Sequence, residues 1–204
     1  MSTLVIVIIS VAAFIAIIVL VAWLYLRAWN ARQEWLPVVD EKGEIIGKAT
    51  RDYCHSGKRL LHPVVHLHIT NSNGDILLQK RSMNKTLLPG KWDTAVGGHV
   101  IDGESVEDAL VRESLEELGI NRLRARFLTS YVWEGADERE FIYVFLCTDR
   151  DEITPNPAEV DEVRFWSRED IEKLTNTPQI TPNFLREYTM YLRKGAASVK
   201  KTLL

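Results

Sequence analysis

The sequence predicts an α+β sandwich preceded by one membrane-spanning helix, and two observations predict it. None of the 25 Lys and Arg or 28 Asp and Glu side chains lies in Met1–Leu26. The chain therefore divides into an uncharged segment and a charged remainder large enough to build its own core. Within that remainder, strand and helix patterns are mixed without the βαβ alternation of a doubly wound sheet. A formal net charge of −3 excludes a strongly basic nucleic-acid-binding domain and an acidic disordered chain, so no nucleic-acid partner is expected.

Residues 4–26, LVIVIISVAAFIAIIVLVAWLYL, are predicted to span a membrane. As a helix they would measure roughly 34 Å against a hydrocarbon core of about 30 Å. A backbone in lipid must satisfy its own hydrogen bonds, which selects helix despite the many β-branched residues. Trp23, Tyr25, Trp29 and Trp35 gather at one end, where amphipathic rings favour an interface, and Arg27 and Arg32 follow. By the positive-inside rule this places the following domain in the cytoplasm. A cleaved secretory signal is the rival reading; it lacks support from a basic n-region or an A-x-A site. Cys54 and Cys147 are expected to be thiols, as a reducing compartment favours. The expected division is 4–26 as the span, 27–36 as a short charged linker, 37–195 as the catalytic domain and 196–204 as a tail.

The elements of the domain follow in order. Val38–Asp40 and Ile45–Gly47 form a hairpin turning at Glu41–Gly43. Val64–Thr70, the Asn73-Gly74 turn and Ile76–Arg81 make a second. After a turn at Pro89–Trp92, an extended run Thr94–Val96 leads to Gly97-Gly98. Gly103–Gly119 is the clearest helix: Ser105 and Asp108 form a capping box, Val111, Leu115 and Leu118 mark an apolar side, and Gly119 stops it. Phe127–Glu134, Phe141–Cys147 and Val163–Trp166 read as strands. Ser167 caps a helix through Leu174, and Thr181-Pro182-Asn183 opens a last helix reaching about Lys194.

Chemistry concentrates on the central helix. Glu113, Glu116 and Glu117 are spaced i, i+3, i+4 and share one face. Like charges at that spacing repel, so the helix gains nothing from them unless a cation intervenes. Hard oxygen ligands on one rigid face suit Mg²⁺ or Mn²⁺ and leave positions for phosphate oxygens and water. The bland reading, a solvated acidic face, is set aside by the wider pattern. Gly98-x5-Glu104-x7-Arg112-Glu113-x-x-Glu116-Glu117-x-Gly119-Ile120 resembles the Nudix box, with Ser114 where an aliphatic residue is usual. The resemblance implies a loop–helix–loop in an α/β/α sandwich with a mixed sheet, cleaving a diphosphate-containing substrate such as a nucleoside diphosphate derivative. It implies that Glu113, Glu116 and Glu117 bind divalent metal, with Glu113 also polarising water. Arg112 and Glu104 would orient that face, and the Gly97-Gly98 backbone would approach metal or phosphate.

Over roughly Val38–Glu172 the chain also resembles the branch containing isopentenyl-diphosphate isomerase, notably in Leu77–Ser105. That resemblance implies a second metal site made by His55, His62, His99, Glu138 and Glu140, with Arg81 and Lys85 binding diphosphate. His66 and His68 are read as one strand face and nothing more. One position departs: the isomerase has a catalytic cysteine immediately before the Gly-His pair, where this chain has Gly97. The isomerase acid is lost while the hydrolase glutamates are kept, so hydrolysis is the better reading. A base outside the box is expected at Glu159, with Glu162 or Glu140 as alternatives. Trp92 and Trp133 are pocket or packing residues, and Lys194, Lys200 and Lys201 are a solvated terminus or a lipid contact. The competing readings are an isomerase-like enzyme and a non-catalytic diphosphate-binding sensor. Prenyl or lipid-linked diphosphates are the attractive substrates for a chain tethered to a membrane.

Overall fold

The computed structural model describes residues 3–136, 138–148 and 153–193. The chain forms two compact units, divided between Trp35 and Leu36. The first is helix α1, Thr3–Arg32. None of Ala13–Asn30 is buried, and this stretch is long and apolar enough to cross a membrane. A core helix of a soluble domain would bury such a surface, whereas the apolar side chains of Ala13–Asn30 are exposed. The Arg27 guanidinium lies 5.3 Å from the Trp23 ring centre, one helical turn back. The expected linker 27–36 is corrected in two ways. The helix continues through Arg32, because Ala28 and Trp29 keep helical preference past the first charge. Trp35 already begins a strand. The expected tail at 196–204 lies outside the described residues.

The division falls one residue into β1 (Trp35–Val39), which forms a two-stranded sheet with β2 (Ile45–Thr50). Thr50 caps the short helix α2 (Arg51–Tyr53) by accepting from the Tyr53 amide at 3.3 Å. A π-turn, Cys54–Lys58, follows and ends at Arg59 in a left-handed conformation. The main sheet contains β3 (His62–Thr70), β4 (Ile76–Arg81), β5 (Trp92–Asp93), β6 (Val96–His99), β7 (Ala125–Glu134), β8 (Arg139–Thr148) and β9 (Val160–Trp166). Its order is β5-β4-β3-β8-β7, with β6 on β3 and β9 on β4. Only β3 and β8 run parallel among these pairs. The expected extended run Thr94–Val96 is interrupted: Thr94 turns inward, its hydroxyl donating to Leu67 and Val96 carbonyls. The strand proper begins at Val96 and carries Gly97 and Gly98 inside it.

Helix α3 (Val106–Leu118) covers one face of this sheet; α4 (Arg168–Leu174) and α5 (Pro182–Glu187) cover the other. Val65, Leu67, Ile69, Ala109, Leu110 and Leu118 pack in one layer. Ile76, Leu78, Leu146, Ile171, Phe184 and Tyr188 pack in the other. Each Val, Leu, Ile or Phe side chain taken from water contributes about 1.5–3 kcal/mol, so the α/β/α sandwich rests on two cores.

Within α3 the caps form where expected. Ser105 accepts from the Asp108 amide, and Gly119 takes a left-handed conformation with φ 67°. The capping box is only half made, because Asp108 accepts from the Ser105 hydroxyl rather than its amide. The apolar side differs from expectation: Val111 and Leu115 are exposed, and the buried positions are Ala109, Leu110, Ser114, Glu117 and Leu118. Ser114 fits this face because its hydroxyl donates to Leu110 O at 2.6 Å. The inward side holds Ser114 and Glu117 beside Leu110 and Leu118, and Val111 and Leu115 are left outside.

Candidate active site

The box residues are built from the helix inward. Glu104 and Arg112 form a two-pronged pair, with Arg112 Nε 2.9 Å from Oε1 and Nη2 3.0 Å from Oε2. Arg112 Nη2 also donates to His99 O at 2.9 Å, and Nη1 donates to Glu113 at 2.7 Å and Glu116 at 3.2 Å. One guanidinium thus ties the loop before α3, the end of β6 and the glutamate face together. These bonds, Glu104's first, hold the Arg112 pKa above its usual value. Glu104 is held below the carboxylate range: burial opposes this, but Arg112 and the Ile101 amide outweigh it.

Glu117 is buried. Its Oε2 accepts from Gln79 Nε2 at 3.0 Å and from the Gly97 amide at 3.2 Å. Burial and the neighbouring Glu113 push its pKa up to about 8, the mark of carboxylates crowded without a compensating cation. Gly98 explains the crowding. A Cβ added there would stand 2.0–2.4 Å from the Glu113 carboxyl group, so only glycine lets that carboxylate reach the strand.

Register carries the site to the other face. Gly97 pairs with His66 and Gly98 with Val65, and successive strand residues face opposite sides. Gly98 therefore looks toward α3, and Gly97 toward the layer containing α5. On that second side the π-turn brings His55 to His62 and His99, with one ligand nitrogen from each lying within 4.8 Å of the others. His55 Nε2 and His99 Nε2 are 3.1 Å apart. Glu138 lies 3.8 Å from His55, and Glu140 is the register partner of His62 on β8. His62 Nε2 and Glu140 Oε2 are buried without hydrogen-bond partners. Burial keeps all three imidazoles in their neutral, ligating form: His62 falls to about 4, and His55 and His99 also lie below their usual value. Burial, then Glu138, raises Glu140. Three neutral imidazoles with an orphaned nitrogen and an orphaned carboxylate oxygen are a donor set that fits a metal ion.

The expected diphosphate residues, Arg81 at the end of β4 and Lys85 in the loop after it, are already partnered. Arg81 donates twice to Leu87 O, at 3.1 and 3.2 Å, and to Asp93 Oδ2 at 3.2 Å. Lys85 is ion-paired with Glu159, the expected external base. Leu88 in the same loop holds a left-handed φ of 49°. Trp92 is buried in the second core, stacked edge-on to Trp166 at 4.9 Å, and Trp133 is half-buried beside Val64 and Ile142. Cys54 and Cys147 are both buried, and neither is in a disulfide.

A second constellation, not expected from the sequence, lies on β3 and α5. Every residue of β3 is buried, so His66 and His68 are interior groups. Both bond to Glu187 at the end of α5, which is fully buried: His66 Nδ1 at 2.7 Å and His68 Nε2 at 2.5 Å. The Tyr131 hydroxyl donates to the same carboxylate at 2.7 Å. The available signal was the second histidine pair itself, since buried imidazoles need polar partners.

A sandwich with α3 glutamates aimed at a glycine-bearing strand defines the Nudix fold. A family model described as the NUDIX domain matches residues 60–188, and the chain belongs to that family. An uncharacterised Nudix hydrolase of Listeria monocytogenes is 33% identical over 169 residues, covering 80% of this chain and 96% of its own. An isopentenyl-diphosphate delta-isomerase of Brevibacterium linens is 31% identical over 145 residues, covering 68% and 80% respectively. The crystal structure of DR0079 from Deinococcus radiodurans superposes with a TM-score of 0.64 at 23% identity, covering 84% of this chain and all of that one. The NUDIX domain of Shewanella oneidensis NrtR, complexed with ADP ribose, gives a TM-score of 0.53 at 16% identity, covering 72% and 89%.

Proposed function

We propose that this Nudix family member is a membrane-anchored pyrophosphohydrolase that cleaves a diphosphate-containing substrate with Mg²⁺ or Mn²⁺. The observation that carries this is Glu113 lying where a Gly98 side chain would be, beside the buried Glu117. Glu113, Glu116 and Glu117 would hold the ion, whose contribution is to neutralise phosphate charge and acidify water. The chain's own groups do the rest. Arg112 and Glu104 fix the carboxylates, and the Gly97-Gly98 backbone admits the diphosphate. Arg81 and Lys85 stand ready to exchange Asp93 and Glu159 for phosphate oxygens, a step that frees Glu159 to take a proton from water. The substrate is a nucleoside diphosphate derivative, as the ADP ribose bound by the Shewanella domain suggests, or a prenyl or lipid-linked diphosphate. Assay of the full chain against such a panel with Mg²⁺ and Mn²⁺ tests the reading. Metal-dependent cleavage is expected, and no turnover on any member, or unchanged turnover in Glu117→Gln, would overturn it.

The α1 helix supports anchoring, and Arg27 and Arg32 after the span support a single-pass protein whose catalytic domain is cytoplasmic. Protease protection in sealed vesicles checks the orientation; a domain resistant to added protease on cytoplasm-facing membranes contradicts it.

A second reading, an isomerase-like enzyme, is favoured by the His55, His62 and His99 cluster with Glu138 and Glu140. Those residues would hold a second ion. Solvent deuterium incorporation into isopentenyl diphosphate separates the two readings; hydrolysis without exchange is the expected result, since Gly97 supplies no acid.

A further inference from the structure

Beside the glutamate face the domain holds a cavity of about 110 Å³. Its wall is mainly apolar, built from Val39, Ile45, Pro63, Val100 and Val106, with the Glu104 carboxylate and the Tyr143 hydroxyl as its polar side-chain groups. Glu104 needs no partner from an occupant, because Arg112 donates to both its oxygens and the Ile101 amide to one of them. The β1–β2 hairpin closes the cavity from outside. Gly43 in its turn, at φ 83°, lies so near Tyr143 that an added Cβ would stand 2.8 Å from the hydroxyl. Ile45 lines the cavity and is nevertheless 72% exposed, and Ile46 next to it is 67% exposed. The mouth of the cavity is therefore apolar as well.

The cavity lies on the same side of the sheet as the glutamates. Val100, with the partly buried Val106 and Tyr143, belongs to the layer that α3 covers. The Val100 amide donates to Pro63 O at 3.0 Å. That bond continues the β6–β3 pairing past His99 and puts Val100 on the side of Gly98. Two residues of extended chain separate them, roughly 7 Å. Arg112 spans the same gap through its bonds to Glu104 and Glu113.

We propose that this cavity binds the hydrocarbon chain of a lipid-linked diphosphate whose phosphates lie at the glutamate face. The proposal rests on the hydrolase reading given above and chooses between its two substrate classes. A nucleoside brings a ribose and a base whose hydrogen-bonding groups this wall would leave unpaired, at a cost. A hydrocarbon chain carries none. An apolar cavity of about 150 Å³ takes benzene, so this one takes roughly four carbon atoms. Longer chains would leave past Ile45 and Ile46, whose exposed side chains extend the apolar path. The proposed membrane anchor would hold the enzyme where such substrates reside.

The test uses the full chain in phosphatidylcholine nanodiscs with Mg²⁺ and a series of monoalkyl diphosphates, methyl to octyl. Burying each methylene is worth about fourfold. Over roughly four carbons kcat/KM should therefore rise about 10²-fold from methyl to hexyl diphosphate, and level beyond it. Two variants separate the cavity from simple partition into lipid. Ile45→Glu puts a charge at the mouth on an exposed position that the fold does not depend on, and Val106→Phe fills the space. In each, the hexyl-to-methyl ratio should fall by about tenfold or more. Cleavage that ignores chain length, or a rise that survives in both variants, overturns this inference and leaves the hydrolase reading standing. So does cleavage of ADP ribose with none of the alkyl series. No cleavage of any alkyl or nucleoside diphosphate removes the hydrolase reading and this inference with it.

Discussion

The two sides of the Gly97-Gly98 strand hold their carboxylates in opposite ways. Toward α3, Arg112 donates to Glu113 and Glu116, Glu117 accepts from Gln79 and the Gly97 amide, and burial with Glu113 beside it drives Glu117 toward protonation. Toward α5, Glu187 is surrounded by three donors and stays ionised. The first side is electrostatically incomplete and the second complete. An incomplete cluster gains by binding a cation; a complete one gains by keeping its geometry. One strand thus separates a crowded carboxylate on one face from a carboxylate fully matched by donors on the other.

The largest effect should come from breaking the incomplete side. Glu117→Gln keeps an acceptor for Gln79 and Gly97 but removes the charge, and hydrolysis with Mg²⁺ should fall by about 10³-fold or more, as loss of a metal-stabilised transition state implies. Next, breaking the complete side by Glu187→Gln should destabilise the domain by about 3 kcal/mol in denaturant melts, because three donors lose a charged acceptor. Gly98→Ala is a smaller lesion. Its Cβ displaces the Glu113 carboxylate and should weaken Mg²⁺ binding about 10–100-fold in calorimetry, as misplaced ligands do. Smallest is the stability gain of Glu117→Gln without metal, about 1 kcal/mol or roughly 2–4 °C in Tm at pH 8.

The sign of that last effect follows from linkage. Glu117 has a raised pKa, so the folded protein binds more protons than the unfolded one between about 4.5 and 8, and stability falls as pH rises through that window. The His66 contribution is present in full below pH 6.5 and is lost as pH rises through about 9. Both make the metal-free protein weaker on the alkaline side.

The box was legible in the sequence because all its parts lie within one loop and one helix, where spacing alone fixes the face. Ser114 looked like a departure from the pattern, yet the Leu110 carbonyl satisfies it and the helix buries it. The inward face was misread at Val111 and Leu115 because hydrophobicity favoured them, while Glu117 took the buried position for its chemistry. His55, His62 and His99 converge through a π-turn and an antiparallel pairing, neither of which leaves a periodic signal; their grouping was suggested only by family resemblance. The bond from His66 to Glu187 was not legible at all. It depends on α5 folding back over β3, and no local pattern encodes that contact.

The claim that the α3 face is completed by a cation is tested most directly by thermal melts of the full chain at pH 6 and pH 8, with and without Mg²⁺. Mg²⁺ prefers oxygen ligands, which keeps the histidine cluster out of the reading. Mg²⁺ should raise Tm more at pH 8 than at pH 6 in the wild type, and Glu117→Gln should lose both the shift and its pH dependence. An Mg²⁺ shift that is the same at both pH values, or that survives in Glu117→Gln, would contradict it.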